Sequence, residues 1–347
     1  MNKKDKYNIA VVGATGAVGR RIIDVLEERG FPVANLSLLA SARSVGETLL
    51  FRGQKIGVKE LRKDSFEEVD IALFSAGSTI SKQYAPIAVE SNCVVIDNSS
   101  EWRMVKDVPL IVPEVNSSAL GEKWEIIANP NCSTIQMVVA LKPIHDNYRI
   151  RRVVVSTYQS VSGSGQKAIE ELEQQSRDVL DGKSTRSNVY PHQIAFNCLP
   201  HIDSFLENGY SKEEIKMVNE THKILEDNTI EVSPTAVRVP VFYSHSEALN
   251  IETELPMRAD KIKELLSRSP GISVVDNLKN NEYPQAVNAC GKGDVLIGRI
   301  RGDLVRRNAI NLWIVSDNLL KGAAYNAVQI AELLLKRLTF PLSILDK

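Results

Sequence analysis

The run Asn8-Ile9-Ala10-Val11-Val12 passes directly into Gly13-Ala14-Thr15-Gly16-Ala17-Val18-Gly19, and Val18, Ile22, Val25 and Leu26 then recur on one helical face. Strand, glycine turn and helix in that order narrow the fold more than any other feature of the chain. The spacing is Gly-x-x-Gly-x-x-Gly rather than the commoner Gly-x-Gly-x-x-Gly, but the strand before and the helix after give the glycines their meaning. Glycines at Gly13 and Gly16 let the backbone approach a pyrophosphate at a helix N-terminus, where unpaired N–H groups and the helix dipole favour an anion. The plainer alternative is an ordinary strand-to-helix turn. The next strand, at 36–40, ends in Leu39-Ala40-Ser41-Ala42-Arg43-Ser44, with no Asp or Glu placed for a ribose 2′-hydroxyl. Arg43 and its neighbouring serines suit a 2′-phosphate and so favour NADP over NAD, unless Arg43 is only a solvated surface charge.

Strand-like runs follow at 71–75, 94–96, 110–112 and 125–128, with a helix predicted near 81–90. That alternation predicts a parallel, helix-covered sheet. Beyond residue 132 the texture changes: 151–158, 236–239, 247–254, 295–300 and 308–315 are β-branched or alternating. Two helices stand out among them, 166–180 with Ile169, Leu172 and Val179 inward, and 259–268. Together they predict an α+β region with a mainly antiparallel sheet. Asp317 can cap a last helix from residue 318 to about 335, whose apolar face suits packing back on the first domain. The expected fold is therefore α/β. A Rossmann-type parallel-sheet domain covers 1–131 and is completed by 318–347, and an α+β domain covers 132–317.

At 347 residues, with 43% hydrophobic and 24% charged side chains, the chain can bury two substantial cores. Lys+Arg 42 against Asp+Glu 43 leave a formal net charge of −1, which offers no general attraction to nucleic acid or an anionic membrane. No signal-peptide h-region and no membrane-spanning run occur, so the expectation is a cytoplasmic protein. Cys93, Cys132, Cys198 and Cys290 lie far apart, without a Cys-x-x-Cys pair or metal-ligand spacing with histidine. Reduced thiols and no metal site are expected.

One of those thiols sits in Ala128-Asn129-Pro130-Asn131-Cys132-Ser133-Thr134-Ile135. An apolar run over 124–128 leads into it, Pro130-Asn131 reads as turn and helix cap, and Ile135, Val138, Val139 and Lys142 follow at helical spacing. Cys132 is thus predicted in the first turn of a helix, where the dipole and free N–H groups stabilise a thiolate nucleophile. By itself the segment suits equally a small buried cysteine that packs like alanine. His245, in Arg238-Val239-Pro240-Val241-Phe242-Tyr243-Ser244-His245-Ser246, is the best-placed acid/base partner. His145, His192, His201 and His222 lie in helical or turn-like polar surroundings and read as solvated or structural.

Ser160-Val161-Ser162-Gly163-Ser164-Gly165 leads another strand into a helix through small residues, which either admit a nicotinamide ribose near the thiol or form only a flexible turn. Arg103, after Asp97-Asn98-Ser99-Ser100-Glu101-Trp102, and Lys216, in Glu213-Glu214-Ile215-Lys216, are candidates for phosphate. Arg238 is a candidate for bidentate carboxylate binding. Taken singly, each is more often an ordinary surface charge.

These segments, over nearly the whole chain, resemble the bacterial aspartate-semialdehyde dehydrogenase family. The most specific matches are at 13–19, 97–103, 129–136, 156–165, 213–216, 238–245 and 317–330. The resemblance implies reductive dephosphorylation of L-4-aspartyl phosphate to L-aspartate 4-semialdehyde, with NADP(H) as cofactor and phosphate as the other small molecule. That reaction serves lysine, threonine, methionine and diaminopimelate synthesis. It implies Cys132 as the thioester-forming nucleophile, His245 as general acid/base and Gln159 as the residue that positions substrate. Arg238 would grip the substrate carboxylate, Glu213 would face its amino group, Arg103 and Lys216 would bind phosphate, and Asn131 would lend a hydrogen bond. To NADP it assigns Gly13, Thr15, Gly16, Ala17, Val18, Arg43, Ser44, Ser162, Gly163 and Asn318. It further implies a homodimer or homotetramer joined through the second domain. Trp102 stands where a different aromatic or smaller residue is usual, and Ser160 and Ser164 where alanine is frequent. An N-acetyl-γ-glutamyl-phosphate reductase would share the architecture but lack the Glu213/Lys216 pair, and a non-catalytic NADP sensor would not need Cys132, Gln159, Arg238 and His245 together.

Overall fold

The computed structural model describes residues 2–339. The chain forms two compact units, Met1–Pro130 with Ala323–Lys347, and Asn131–Gly322. The stretch 340–347, which the sequence assigns to completing the first domain, lies outside the described residues.

The first unit is built on β1 (Tyr7–Val12), α1 (Ala17–Glu28), β2 (Val33–Ala40), β3 (Thr48–Phe51), β4 (Gln54–Glu60), β5 (Ile71–Phe74), α2 (Ser78–Glu90), β6 (Val94–Asp97), α3 (Pro113–Asn116) and β7 (Ile126–Ala128). Its seven-stranded sheet has the order β3-β4-β2-β1-β5-β6-β7. Every pairing is parallel except the β3/β4 hairpin. Strand order reverses beside β1, and in a doubly wound sheet the crevice at that reversal is where nucleotides bind. Fully buried Ala10, Val12, Ala72, Phe74 and Val95 form the core with Ala85 and Ala88 of α2. Gly13 turns the chain there with φ +83, and a Cβ on Gly19 would lie 2.2 Å from the Gly13 carbonyl oxygen. Only glycine lets α1 start so close to the end of β1.

Three elements of this unit depart from the expectations. Residues 110–112 make a single parallel bridge, Leu110 to Ala128, rather than a strand. Pro113 opens α3 immediately after them, and the Asn116 side chain closes the segment by accepting from Val112 N–H and donating to the Leu110 carbonyl. The β3/β4 hairpin is not read from the sequence because β3 is only four residues long and β4 is largely polar; its turn at Arg52-Gly53 has positive φ at both residues. The last helix does not begin as α at residue 318. A π-helical stretch, Leu320–Ala324, precedes the α-helix Tyr325–Thr339, and Asp317 Oδ1 caps its start by accepting from Leu319 and Leu320. The Gly322 N–H bonds the carbonyl of Asp317 five residues back.

The second unit comprises α4 (Cys132–Tyr148), β8 (Ile150–Gln159), α5 (Gln166–Leu180), α6 (Lys212–Leu225), β9 (Glu231–Arg238), β10 (His245–Thr253), α7 (Ala259–Ser267), β11 (Ile272–Val274), α8 (Ala286–Ala289), β12 (Val295–Gly302) and β13 (Ala309–Ser316). The six-stranded sheet runs β11-β12-β13-β10-β8-β9, antiparallel in its centre and parallel at the β8/β9 and β11/β12 edges. The apolar α4 packs on β8, β10, β12 and β13, and α6 packs on α4 and β9. In α5, Ile169 and Leu172 are buried as expected, but Val179 is only half-buried, since the helix end leaves the core. Asn131 and 318–322 fall in this unit rather than the first because Asn131 bonds α6 and Asn318 bonds Ser160 and Ser162.

Candidate active site

Cys132 is the first residue of α4. Its neighbour Asn131 caps that helix, Oδ1 accepting from Ser133 N–H at 2.9 Å and Thr134 N–H at 3.4 Å. The cap fixes the thiol where the helix dipole favours an anion. Asn131 is itself held from α6: its N–H donates to Glu220 Oε2 at 2.6 Å and its Nδ2 to Glu213 Oε1 at 3.0 Å. Glu213 and Glu220 are seven residues apart, two turns of α6, so both reach the same point. Gly322 closes the other side: a Cβ there would stand 2.8 Å from the Cys132 Cβ.

Glu213 also accepts from Gln159 Nε2 at 3.3 Å and pairs with Lys216 Nζ at 3.4 Å, while Lys216 makes a 2.7 Å ion pair with Asp203. Gln159, the last residue of β8, stands opposite Arg238, the last of β9. Parallel pairing therefore delivers an amide and a guanidinium to one end of the sheet. Arg238 Nη1 donates to the Ser160 carbonyl at 2.7 Å, whereas its buried Nε has no hydrogen-bond partner. A buried donor left without a partner costs about 1–3 kcal/mol, which a carboxylate arriving at that edge recovers.

His245 opens β10 and is fully buried. Its Nδ1 accepts from Ser160 N–H at 3.0 Å, so the neutral ring carries its proton on Nε2, which has no hydrogen-bond partner. Burial first, and the Arg238 guanidinium second, hold the imidazole well below its usual titration range. A Cβ on Gly163 would lie 3.0 Å from Arg238 Nη1 and 3.3 Å from His245 Nε2, so a glycine is what keeps this side open. Asn318 organises the neighbouring loops: Oδ1 accepts from Ser160 Oγ, Ser162 Oγ and Ser244 N–H at 3.1, 3.1 and 2.9 Å. Cys132, Asn131, Glu213, Gln159, Arg238, Gly163 and His245 thus form one chain of contacts.

The other candidates lie in the first unit. Arg103 is buried and donates through Nε to the Asn129 carbonyl at 3.0 Å and through Nη2 to the Asn98 carbonyl at 2.7 Å. Thr15 Oγ1 lies 3.2 Å from Ser44 Oγ, which joins the Gly13–Gly19 turn to the loop bearing the exposed Arg43. Ala17 and Val18 open α1 behind Gly16, its N-terminal cap. The helix N-terminus that Gly19 holds close to the Gly13 turn, with a cation and a serine after β2, fits a dinucleotide carrying a 2′-phosphate.

Sequence reasoning passed over Glu220, Tyr190, Gly322 and Glu247. Glu247 is the most unusual: fully buried, with neither carboxyl oxygen hydrogen-bonded. Its signal was present, because it alternates with His245 along β10, and Gln136, which interacts with it, lies one helical turn beyond Cys132.

Residues 8–123 match the family described as semialdehyde dehydrogenase, NAD binding domain, and 141–321 match semialdehyde dehydrogenase, dimerisation domain. The aspartate-semialdehyde dehydrogenase of Legionella pneumophila is 56% identical over 340 residues, covering 97% of this chain and 98% of that one. The crystal structure of aspartate semialdehyde dehydrogenase II complexed with ASA from Vibrio cholerae superposes with a TM-score of 0.94 at 51% identity, covering 96% of this chain and 99% of that one. The Candida albicans aspartate semialdehyde dehydrogenase with NADP superposes with a TM-score of 0.73 at 26% identity, covering 96% and 99%. The chain belongs to the aspartate-semialdehyde dehydrogenase family.

Proposed function

We propose that this chain is an NADP-dependent, phosphorylating aldehyde dehydrogenase that converts L-4-aspartyl phosphate to L-aspartate 4-semialdehyde, through a thioester on Cys132. The observation that carries the reading is that Gln159 bonds a carboxylate, Glu213, and stands beside Arg238, whose buried guanidinium Nε has no hydrogen-bond partner. An amino acid presents the complementary pair, an α-ammonium for Glu213 and an α-carboxylate for Arg238.

With the substrate so held, the Cys132 thiolate attacks the acyl carbon, a C–S bond forms, and the C–O bond to phosphate breaks with the electron pair leaving on phosphate. Arg103 and Lys216 bind that phosphate. Gln159 orients the acyl group, and the positive end of the α4 dipole favours the oxyanion of the tetrahedral adduct. NADPH, when bound, supplies the hydride, with Gly13, Thr15, Gly16, Ala17, Val18, Arg43, Ser44, Ser162, Gly163 and Asn318 as its contacts. His245, whose proton sits on Nε2, donates toward the oxygen on which charge develops as the thioester carbon is reduced; the C=O bond then re-forms while the C–S bond breaks and Cys132 leaves as thiolate.

The product supplies lysine, threonine, methionine and diaminopimelate synthesis. We read the catalytic and dimerisation region as 132–317 and the NADP-binding region as 1–131 with 318–347. The match of 141–321 to a dimerisation domain supports a homodimer, and a homotetramer is the larger assembly consistent with it. Among the described residues no helix is long and apolar enough to cross a membrane, and we place the enzyme in the cytoplasm.

The test is reduction of NADP+ by L-aspartate 4-semialdehyde, with and without phosphate, followed by nicotinamide absorbance in the wild type and Cys132→Ala. Phosphate-dependent turnover that disappears in the variant, with NADP+ still bound, is the expected result. Turnover surviving in Cys132→Ala removes the nucleophile from the mechanism.

A further inference from the structure

Arg238 is gripped by a segment that the reaction itself does not explain. On α5, Glu171 and Gln175 are one turn apart and both buried, and they hold the loop that follows the helix. Glu171 Oε2 accepts from Asn188 N–H at 2.7 Å and Val189 N–H at 2.6 Å, and Oε1 from Tyr190 N–H at 3.4 Å. Gln175 Oε1 accepts from Ile194 and Ala195 N–H at 2.9 and 3.1 Å, and its Nε2 donates to the Arg186 carbonyl at 2.9 Å. Ile194, Ala195 and Leu199 then pack with Val161, Ile169 and Leu172, and Leu199 exchanges both backbone hydrogen bonds with Arg238.

This fixed loop carries Tyr190 against Arg238, with the guanidinium carbon 5.9 Å from the ring centroid. The tyrosine hydroxyl interacts with Ser164 and lies 3.5 Å from the Val161 carbonyl. Both contacts are on the small-residue turn that also holds Gly163 against Arg238. We propose that Tyr190 is a positioning residue for Arg238: its ring backs the guanidinium while the Ser160 carbonyl holds Nη1, so the buried Nε edge is what the site presents to a substrate carboxylate. The inference rests on the reading of Arg238 as the carboxylate grip. A planar fork presented edge-on matches a carboxylate in geometry as well as charge. The buried polar anchors, Glu171 and Gln175, keep the loop in one arrangement, because moving it would strand their hydrogen-bonding groups.

The experiment compares wild type, Tyr190→Phe and Tyr190→Leu. Removing the ring is expected to raise KM for L-aspartate 4-semialdehyde about tenfold, equivalent to about 1.4 kcal/mol and within the range for a guanidinium over an aromatic ring. Turnover number and the KM values for phosphate and NADP+ stay as in the wild type, and Tyr190→Phe restores the wild-type KM. An unchanged KM in Tyr190→Leu overturns the proposal, as does a uniform rise in all three KM values or a Phe variant as impaired as Leu. Calorimetric titration with L-aspartate, which carries the same α-carboxylate and α-ammonium but cannot react, separates this from the assignment beneath it. Weaker binding in Tyr190→Leu supports the role of Tyr190, and equal binding in both proteins overturns it. Absence of binding by the wild type overturns the assignment of Arg238, and the proposal with it.

Discussion

Gly322 stands so close to Cys132 that a Cβ added to it would lie 2.8 Å from the cysteine Cβ and 3.3 Å from its Cα. Real Cβ contacts do not reach that distance, so Gly322→Ala has to displace either the π-helical stretch Leu320–Ala324 or the first turn of α4. A displacement of about 1 Å at a reacting atom can cost on the order of 100-fold in rate. Gly322→Ala should therefore lose turnover toward that factor while NADP+ affinity holds. Steady-state kinetics beside a nucleotide titration decide it, and a variant with wild-type turnover shows that the thiol tolerates the shift.

The charge state of His245 yields a pH prediction. Burial, then Arg238, hold the imidazole well below its usual range, so the folded value lies under the unfolded one. Its contribution to stability is then fully present above the unfolded value of about 6.5 and lost as pH falls through the folded value. The ring is neutral throughout the neutral range, and turnover should show no acid limb near pH ~6.5 from this residue. His245→Asn should lower turnover by about 100-fold or more, the usual scale of general acid–base catalysis, yet leave Cys132 open to alkylation. An acid limb near neutrality that vanishes in His245→Asn contradicts the neutral ring.

Much of this site was legible because its residues sit where strands and helices end. Cys132 was readable from Pro130-Asn131 followed by helical periodicity, and the structure has Asn131 as the cap and Cys132 as the first helical residue. The Gly13–Gly19 turn was readable from the change of apolar period across it. Residues 110–112 misled because an apolar triplet looks the same whether it enters a sheet or is closed by a side chain; the Asn116 amide decided that, and it follows the triplet by several residues. Tyr190 and Gly322 were invisible for a different reason. Their roles depend on contacts with Arg238 and Cys132, far away in sequence, and no local pattern records which glycine or tyrosine will be brought there.

Glu247 makes a prediction of opposite sign to that of His245. Burial holds its carboxyl well above the usual carboxylate range, and Glu213 pushes the same way against the opposing effect of Gln136. A group whose folded value is raised contributes stability that is fully present below the unfolded value of about 4.3 and lost as pH rises through the folded value. Glu247→Gln keeps the shape and removes the titration. The thermal midpoint of Glu247→Gln relative to wild type should thus climb as pH rises from about 5 to about 8, the window above the unfolded carboxylate value. Parallel midpoint curves for the two proteins would show that Glu247 titrates normally.

Arg43 is the residue we propose to set cofactor choice. The Thr15–Ser44 contact brings its loop to the glycine turn, and the residue is exposed, so its replacement should leave the fold intact. Arg43→Glu should raise KM for NADP+ by about 10-fold or more, the scale of a charge-assisted hydrogen bond to phosphate, with little effect on NAD+. Equal losses with the two cofactors would remove Arg43 from recognition of the 2′-phosphate.

Asn131 performs two tasks that one substitution can separate. Its Oδ1 caps α4, and its Nδ2 donates to Glu213. Aspartate is as good a cap as asparagine but has no amide donor, and it would set a second carboxylate beside Glu213. Asn131→Asp should keep the cap yet lose stability at neutral pH, where its buried carboxylate faces Glu213, and raise KM for L-aspartate 4-semialdehyde. Asn131→Ala removes both functions and should lower stability by about 1 kcal/mol through the lost cap. If Asn131→Asp is as stable as the wild type at neutral pH, the side chain at 131 does not face Glu213 and the Nδ2 bond is not what places it. If both variants bind substrate normally, Glu213 does not depend on Asn131 for its placement, and Gln159 with Lys216 suffices.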